Sequence, residues 1–210
     1  FFFIADMSVD EWKAKADAGL DKLKDLSVND EGWKQDKPKN GVTIHHRYSD
    51  DSPIVMMRGS IEIPASPEEV LKCTEDLDGR KAWDELFQGG QVVQQIDDTH
   101  QILHFKFKSP SMLASNRDFV MSRSVKVNDD GSISANHVSV EHPEMGDQKG
   151  YVRGEIDVSG YYITPTGDNS CKCYYVVQLD PKGWLPTAVV NMVASKQPLI
   201  LAKLHKHFSK

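Results

Sequence analysis

The sequence predicts an α+β domain: a curved antiparallel sheet of about nine strands, with helices at both chain ends. Three observations lead there. Between residues 91 and 180, six strand-like runs are separated only by short turn-forming stretches, which imply antiparallel neighbours. Two capping boxes, Ser8-Val-Asp-Glu11 and Ser66-Pro-Glu-Glu69, open helices before the strands accumulate. Near the other end, Leu185, Val189, Val193, Ile200, Leu204 and Phe208 recur at steps of four or seven, the stripe of an amphipathic helix.

The first helix runs to Leu26 with Trp12, Ala16, Leu20 and Leu23 inward. Trp33-Lys-Gln and Val42–Arg47 make a hairpin around the turn Lys39-Asn-Gly41, and Ile54–Ile63 is the third strand. The second box places Pro67 at the first helical position, and its helix continues to about Asp76. A short helical segment over Arg80–Phe87 follows. The six later strands are Gln91–Ile96, Gln101–Lys108, Asp118–Val127, Ser132–Val140, Tyr151–Thr164 and Cys171–Asp180. Pro181-Lys-Gly and Pro186 then lead into a final helix of roughly 23 residues, about 35 Å long. Pro198 lies inside it and removes one backbone bond, so a kink, a local opening or a bend around the sheet is expected there.

Composition narrows the function. The 210 residues are 39% hydrophobic and 27% charged, ample for one domain with a cavity in its core. No window approaches 18 uninterrupted apolar residues, so no membrane-spanning helix is expected. A net charge of -6 argues against nucleic-acid binding, which relies on a basic face. The last helix is locally basic through Lys196, Lys203, Lys206, Lys210, His205 and His207, either complementing the helix dipole or facing a membrane. Cys73, Cys171 and Cys173 form no disulfide framework, which points to a reducing, cytoplasmic setting, and no metal spacing accompanies them. No catalytic signature is present, so neither an enzyme nor a cofactor is expected. Phe1–Asp6 reads as a leader, foreign or disordered, ahead of a single domain over residues 7–210.

In the strand Gln101–Lys108, Leu103, Phe105 and Phe107 share one face, as either a lipid cavity or an ordinary core requires. Family resemblance separates these readings. Arg80-Lys-Ala-Trp-Asp84, Ser115-Asn-Arg-Asp-Phe-Val-Met-Ser-Arg123, Gly150-Tyr-Val-Arg-Gly-Glu155 and the closing helix resemble the START family of lipid-binding domains. Order and spacing are kept from about residue 30 to the end. The resemblance implies a helix-grip fold, in which the sheet wraps the long C-terminal helix around a hydrophobic cavity and the helix is its lid. It implies a carrier of one lipid, with phospholipid favoured and ceramide or sterol possible, that touches membranes peripherally and transiently. The alternatives are a lipid-sensing module of a larger protein, or an enzyme acting on a hydrophobic substrate.

The resemblance also assigns residues. Phe105 and Phe119 match aromatics that cage choline in the phosphatidylcholine-transfer branch, whereas the third cage position falls on Asp157, a departure from that pattern. Arg80 matches the arginine that pairs with the lipid phosphate, a charge-assisted contact. Beside Trp83 in the same motif, Asp84 sits where the ceramide branch places an acid, and it could instead pair with Arg80. Arg123 matches the arginine of a sterol-branch Arg–acid pair, but the facing position falls near His104, with Lys106 next on that face. No carboxylate stands there, so a sterol ranks below a two-chain polar lipid. Val189, Met192 and Val193 belong to the lid, and the loop of Met112 and Leu113 meets it over the cavity mouth; on the residues' own chemistry Gly183, between two prolines, is the expected hinge and Met112 and Leu113 are expected to dip into a bilayer.

Overall fold

The computed structural model describes residues 7–49, 52–109 and 114–209. Helix α1 spans Val9–Val28, and both reciprocal bonds of its capping box form between Ser8 and Glu11. Its last turn has no basic residue of its own. The guanidinium of Arg58 supplies one from the sheet, donating to the carbonyls of Leu26, Ser27 and Asn29 at 3.0–3.2 Å. Strands β1 (Lys34–Gln35) and β2 (Thr43–Ser49) form the expected hairpin. Asn40 and Gly41 take positive φ values of 54° and 81° in its turn, which is why this pair occupies those positions.

Strand β3 (Ser52–Ile63) leads into α2 (Pro67–Glu75), whose capping box is complete, and then into a 3-10 turn at Gly79–Ala82. The remaining strands are β4 (Phe87–Gln95), β5 (His100–Phe107), β6 (Asn116–Val127), β7 (Ile133–Ser139), β8 (Tyr151–Arg153), β9 (Glu155–Gly167) and β10 (Ser170–Asp180). They form one ten-stranded curved sheet in the order β1-β2-β3-β10-β9-β7-β6-β5-β4, with β8 attached to β6.

Strand alternation gives the sheet two covered faces. On β10, Val176 packs with Leu23 and Leu26 of α1, whereas its neighbours Tyr175 and Val177 join the cluster containing Leu201 and Leu204. On β6, Val120 packs with Trp12, whereas Phe119 and Met121 face the opposite way. Helix α1 therefore backs one face, and the C-terminal helices are gripped by the other.

Three expectations needed correction. The strand expected over Tyr151–Thr164 is divided at Gly154, and β8 runs parallel, not antiparallel, to β6. Gly154 donates its N–H to the Asp118 carbonyl at 2.9 Å, and a Cβ there would lie 2.3 Å from the Phe119 ring. The helical segment expected over Arg80–Phe87 ends at Ala82, so β4 begins at Phe87 rather than Gln91. The 23-residue helix is broken into α3 (Thr187–Ala194), a 3-10 turn at Gln197–Leu199 and α4 (Ile200–Phe208). Pro198 accounts for the local opening and is buried against β3. A Cβ on Gly59 would approach Pro198 to 2.7 Å, so this glycine makes the close docking of the broken helix possible. All three cysteines are free thiols, and burial pushes Cys171 up to about 12, far from thiolate reactivity.

Candidate functional site

Between the gripping face and α3 lies a cavity of about 480 Å³. Phe105 and Phe119 sit opposite each other in the β5–β6 ladder, and Phe107 contacts both rings edge-on at 6.4 and 5.8 Å. Phe87 supports this wall edge-on, 5.3 Å from Phe105, without lining the cavity itself. Val189, Val190 and Val193 of α3 roof the cavity, and Ile156, Tyr161 and Tyr175 line it from β9 and β10.

Arg80 and Asp84 bring charge to this wall. Both are buried, and Arg80 Nε donates to Asp84 Oδ2 at 3.0 Å. The guanidinium lies 5.0–5.9 Å from the ring centroids of Trp83, Phe87, Phe105 and Phe107. One cation is thus held by one carboxylate and a set of negative ring faces. Trp83 supports Arg80 from the core and is not part of the cavity lining.

A second chamber of about 220 Å³ adjoins the first and shares Arg80, Phe105, His137 and Tyr161 with it. Leu103 and Arg123 line it, together with Glu75 and Gln101. Arg123 Nη2 pairs with Glu75, and Nη1 donates to Gln101 Oε1 at 3.4 Å. Its Nε is buried and has no partner among the described residues, and burial lowers the guanidinium to about 10. The acid sought opposite Arg123 on β5 is therefore on α2. His104 is turned to the other face of β5, where it meets buried Asp118 at 2.8 Å. Asp118 also accepts from Arg153 at 2.9 and 3.1 Å, which explains in physical terms why the Arg-Asp-Phe and Tyr-Val-Arg-Gly segments belong together.

His137 escaped the sequence reading, although it stands in phase with Ile133 and Ala135 on an alternating strand. It pairs in register with Arg123 and lines both chambers, so the surface it retains opens into the cavity. Burial first, then the nearby Arg123 and Arg80, lowers it to about 3, leaving a neutral imidazole at the waist of the site. Glu75, Tyr161 and Tyr175 were also missed; the tyrosine rings stack at 4.9 Å.

Two expected residues are elsewhere. Asp157 is the extra residue of a β-bulge, since Gln178 faces Val158 whereas Leu179 faces Ile156. The bulge turns Asp157 outward and brings Ser159 and Tyr161 into the cavity. Met192 is 54% exposed on the outer side of α3, where Val190 takes the inward position expected of it. Met112 lies outside the described residues, as does Leu113. The segment expected to act as a hinge has a partner that was not anticipated: Arg117 donates from Nε to the Pro181 carbonyl and from Nη2 to that of Lys182, the latter at 3.0 Å. Lys182 and Gly183 between the prolines adopt φ of 48° and 74°.

Among the described residues, no cluster of three or more His, Cys, Asp or Glu side chains is arranged to hold a metal ion. None of their helices is long and apolar enough to cross a membrane.

Comparison with known proteins agrees with this geometry. The START domain model matches residues 14–210. The mouse StAR-related lipid transfer protein 5 is 36% identical over 165 residues, 76% of this chain and 78% of its own. The structure of human StAR-related lipid transfer protein 5 superposes with a TM-score of 0.87 at 30% identity, covering 96% of this chain and 99% of that one. Human START domain-containing protein 10 is 30% identical over 182 residues, 83% of this chain and 60% of its own.

Proposed function

The chain belongs to the START domain family, and on that footing we propose that it holds one lipid in its cavity and carries it between membranes without altering it. The observation that carries this reading is a largely apolar cavity closed by a short helix on a Gly-Pro hinge, with the buried Arg80–Asp84 pair on its inner wall. Apolar walls replace most of the roughly 0.8 kcal/mol per methylene that water exposure costs a lipid. The hinge lets α3 swing while the sheet stays fixed.

The same cavity informs the choice of lipid. The main cavity offers about 480 Å³ and the inner chamber about 220 Å³. Arg80 is also already committed to Asp84, which weakens the phosphate-binding role assigned to it. That commitment, with an inner chamber lined by Arg123, Glu75 and His137, supports a lipid with a small polar group, a fused-ring or single-chain molecule, over the phospholipid favoured by sequence. Arg123, Glu75 and neutral His137 would then receive its polar group, and Arg123 Nε, without a partner among the described residues, supports an acceptor there.

Native mass spectrometry of the purified protein, followed by titration with a fluorescent sterol and a fluorescent phosphatidylcholine, tests both levels. One-to-one binding of the sterol with weak phospholipid binding is expected. Tight phospholipid binding would overturn this choice of lipid, and binding of neither would overturn the carrier reading.

A further inference from the structure

We propose that the inner chamber has a doorway of its own, between the end of α2 and the β4–β5 edge, through which water passes while lipid uses the mouth beneath α3. The proposal rests on the lipid-carrier reading and adds a second opening to that site. The two chambers meet solvent through different residues. Lys108 and Trp184 are exposed on the wall of the main cavity. The inner chamber reaches water at Glu75, whose side chain is 36% exposed, and at Val92, 44% exposed. Glu75, Val92 and Gln101 line the inner chamber and not the main cavity, so the doorway lies beyond the waist formed by Arg80, Phe105, His137 and Tyr161.

Side chains gate this opening. The Arg123 guanidinium joins α2 to β5 across it, with Nη2 on Glu75 and Nη1 on Gln101. Gln101 is braced on one side, its Nε2 donating to Gln95 Oε1 at 2.7 Å. Glu75 is not braced: among the described residues Arg123 is its one ion-pair partner. A pair with one member in water is weak, so rotation of Glu75 opens the gate while the backbone stays in place. Behind the gate, Arg123, Gln101 and His137 can hydrate a chamber roomy enough for several waters. A lipid entering beneath α3 fills the main cavity and closes the route behind it. Water ahead of it must then squeeze past hydrocarbon, which strips its hydrogen bonds, or leave along polar groups that replace them. On release the same path lets water follow the departing lipid, so the chamber lining is never left facing a void.

The test plugs the doorway at Val92, which is exposed and outside the groups assigned to the lipid. With Val92→Trp, stopped-flow loading and release of a fluorescent sterol should both slow roughly tenfold at unchanged affinity and melting temperature, because a plug raises the barrier and leaves the end states alone. Val92→Phe, a smaller plug, should slow both less. Val127→Trp, at an exposed position that lines neither chamber, should leave the rates unaltered. A second readout needs no lipid. Ala135 lines the inner chamber and not the main cavity, so the thiol of Ala135→Cys should react with a small water-soluble reagent above the background of the three native thiols. Adding Val92→Trp should suppress that reaction. The doorway is overturned if Val92→Trp exchanges sterol at the wild-type rate, or if the Ala135→Cys thiol reacts as fast with the plug as without it. A wild type that takes up neither sterol nor phosphatidylcholine would sink the carrier reading, and the thiol reaction would then decide the doorway alone.

Discussion

Removing the carboxylate of Asp84 should destabilise this protein far more than removing a surface acid. Arg80 and Asp84 have side-chain exposures of 11% and 8%, so water cannot replace the lost partner. Breaking a buried pair by deleting one member costs about 3–5 kcal/mol, because the remaining charge stays desolvated. Four ring faces within 6 Å continue to attract the guanidinium, each contributing up to about 0.5–2 kcal/mol. The expected cost of Asp84→Ala is therefore at the lower end, about 3 kcal/mol. At a chain length of 210, this corresponds to a fall in melting temperature of roughly 6–12 °C. Urea denaturation followed by circular dichroism gives the free energy directly. Arg80→Met combined with Asp84→Leu removes both charges and should recover most of the loss. A single Asp84→Ala within 1 kcal/mol of wild type would show that the rings alone hold Arg80, refuting its account as an ion-paired group. If the double variant is stable and still binds lipid fully, the pair serves the fold and not the ligand.

His137 gives a pH signature. Its pKa is lowered to about 3 in the folded state from the ordinary value of 6.5, so unfolding takes up a proton below pH 6.5. This stabilising contribution is intact above pH 6.5 and is lost as pH falls toward 3, at up to about 1.4 kcal/mol per pH unit; His137→Gln should flatten the wild-type slope between pH 6.5 and 5 in urea titrations. Gly154→Ala would drive a Cβ into the Phe119 ring, and a cost of roughly 1–3 kcal/mol with weakened lipid binding should appear in thermal melts and sterol titration. Arg117→Ala frees the hinge from its two carbonyl contacts and should speed lipid release severalfold at nearly unchanged stability, as read by stopped-flow fluorescence.

Features encoded over a few neighbouring residues could be read directly. Both capping boxes, the Asn40-Gly41 turn and the disturbance at Pro198 depend on contacts within one or two turns, and each is found where the sequence placed it. The cavity wall was partly legible because Phe105 and Phe107 lie on one regular strand and parity carries them to one face. What failed were features that depend on irregularity or distance. A single extra residue in β9 reverses parity, which turned Asp157 outward and brought Ser159 and Tyr161 inward, and nothing in Glu-Ile-Asp-Val-Ser-Gly announces that bulge.

The acid that partners Arg123 shows the same limit more sharply. Sequence reasoning sought it on the adjoining strand near His104 and ranked a sterol lower when none was found, whereas the register sets Gln101 opposite Arg123. Glu75 comes instead from the last residue of α2, 48 positions away in sequence, because the connection from β3 to β4 crosses the gripping face and sets its end over the inner chamber. No periodicity encodes that approach; it follows from the closure of the whole sheet. His137 escaped notice for a related reason, since a histidine in phase with Ile133 and Ala135 reads as core until Arg80 and Arg123 are known to converge on it. The polar half of the site is thus assembled by tertiary structure from residues that look unremarked in isolation, whereas its apolar half follows the strand pattern. Ligand class depends on the polar half and on volume, so the fold could be read from this sequence with more security than the identity of the lipid.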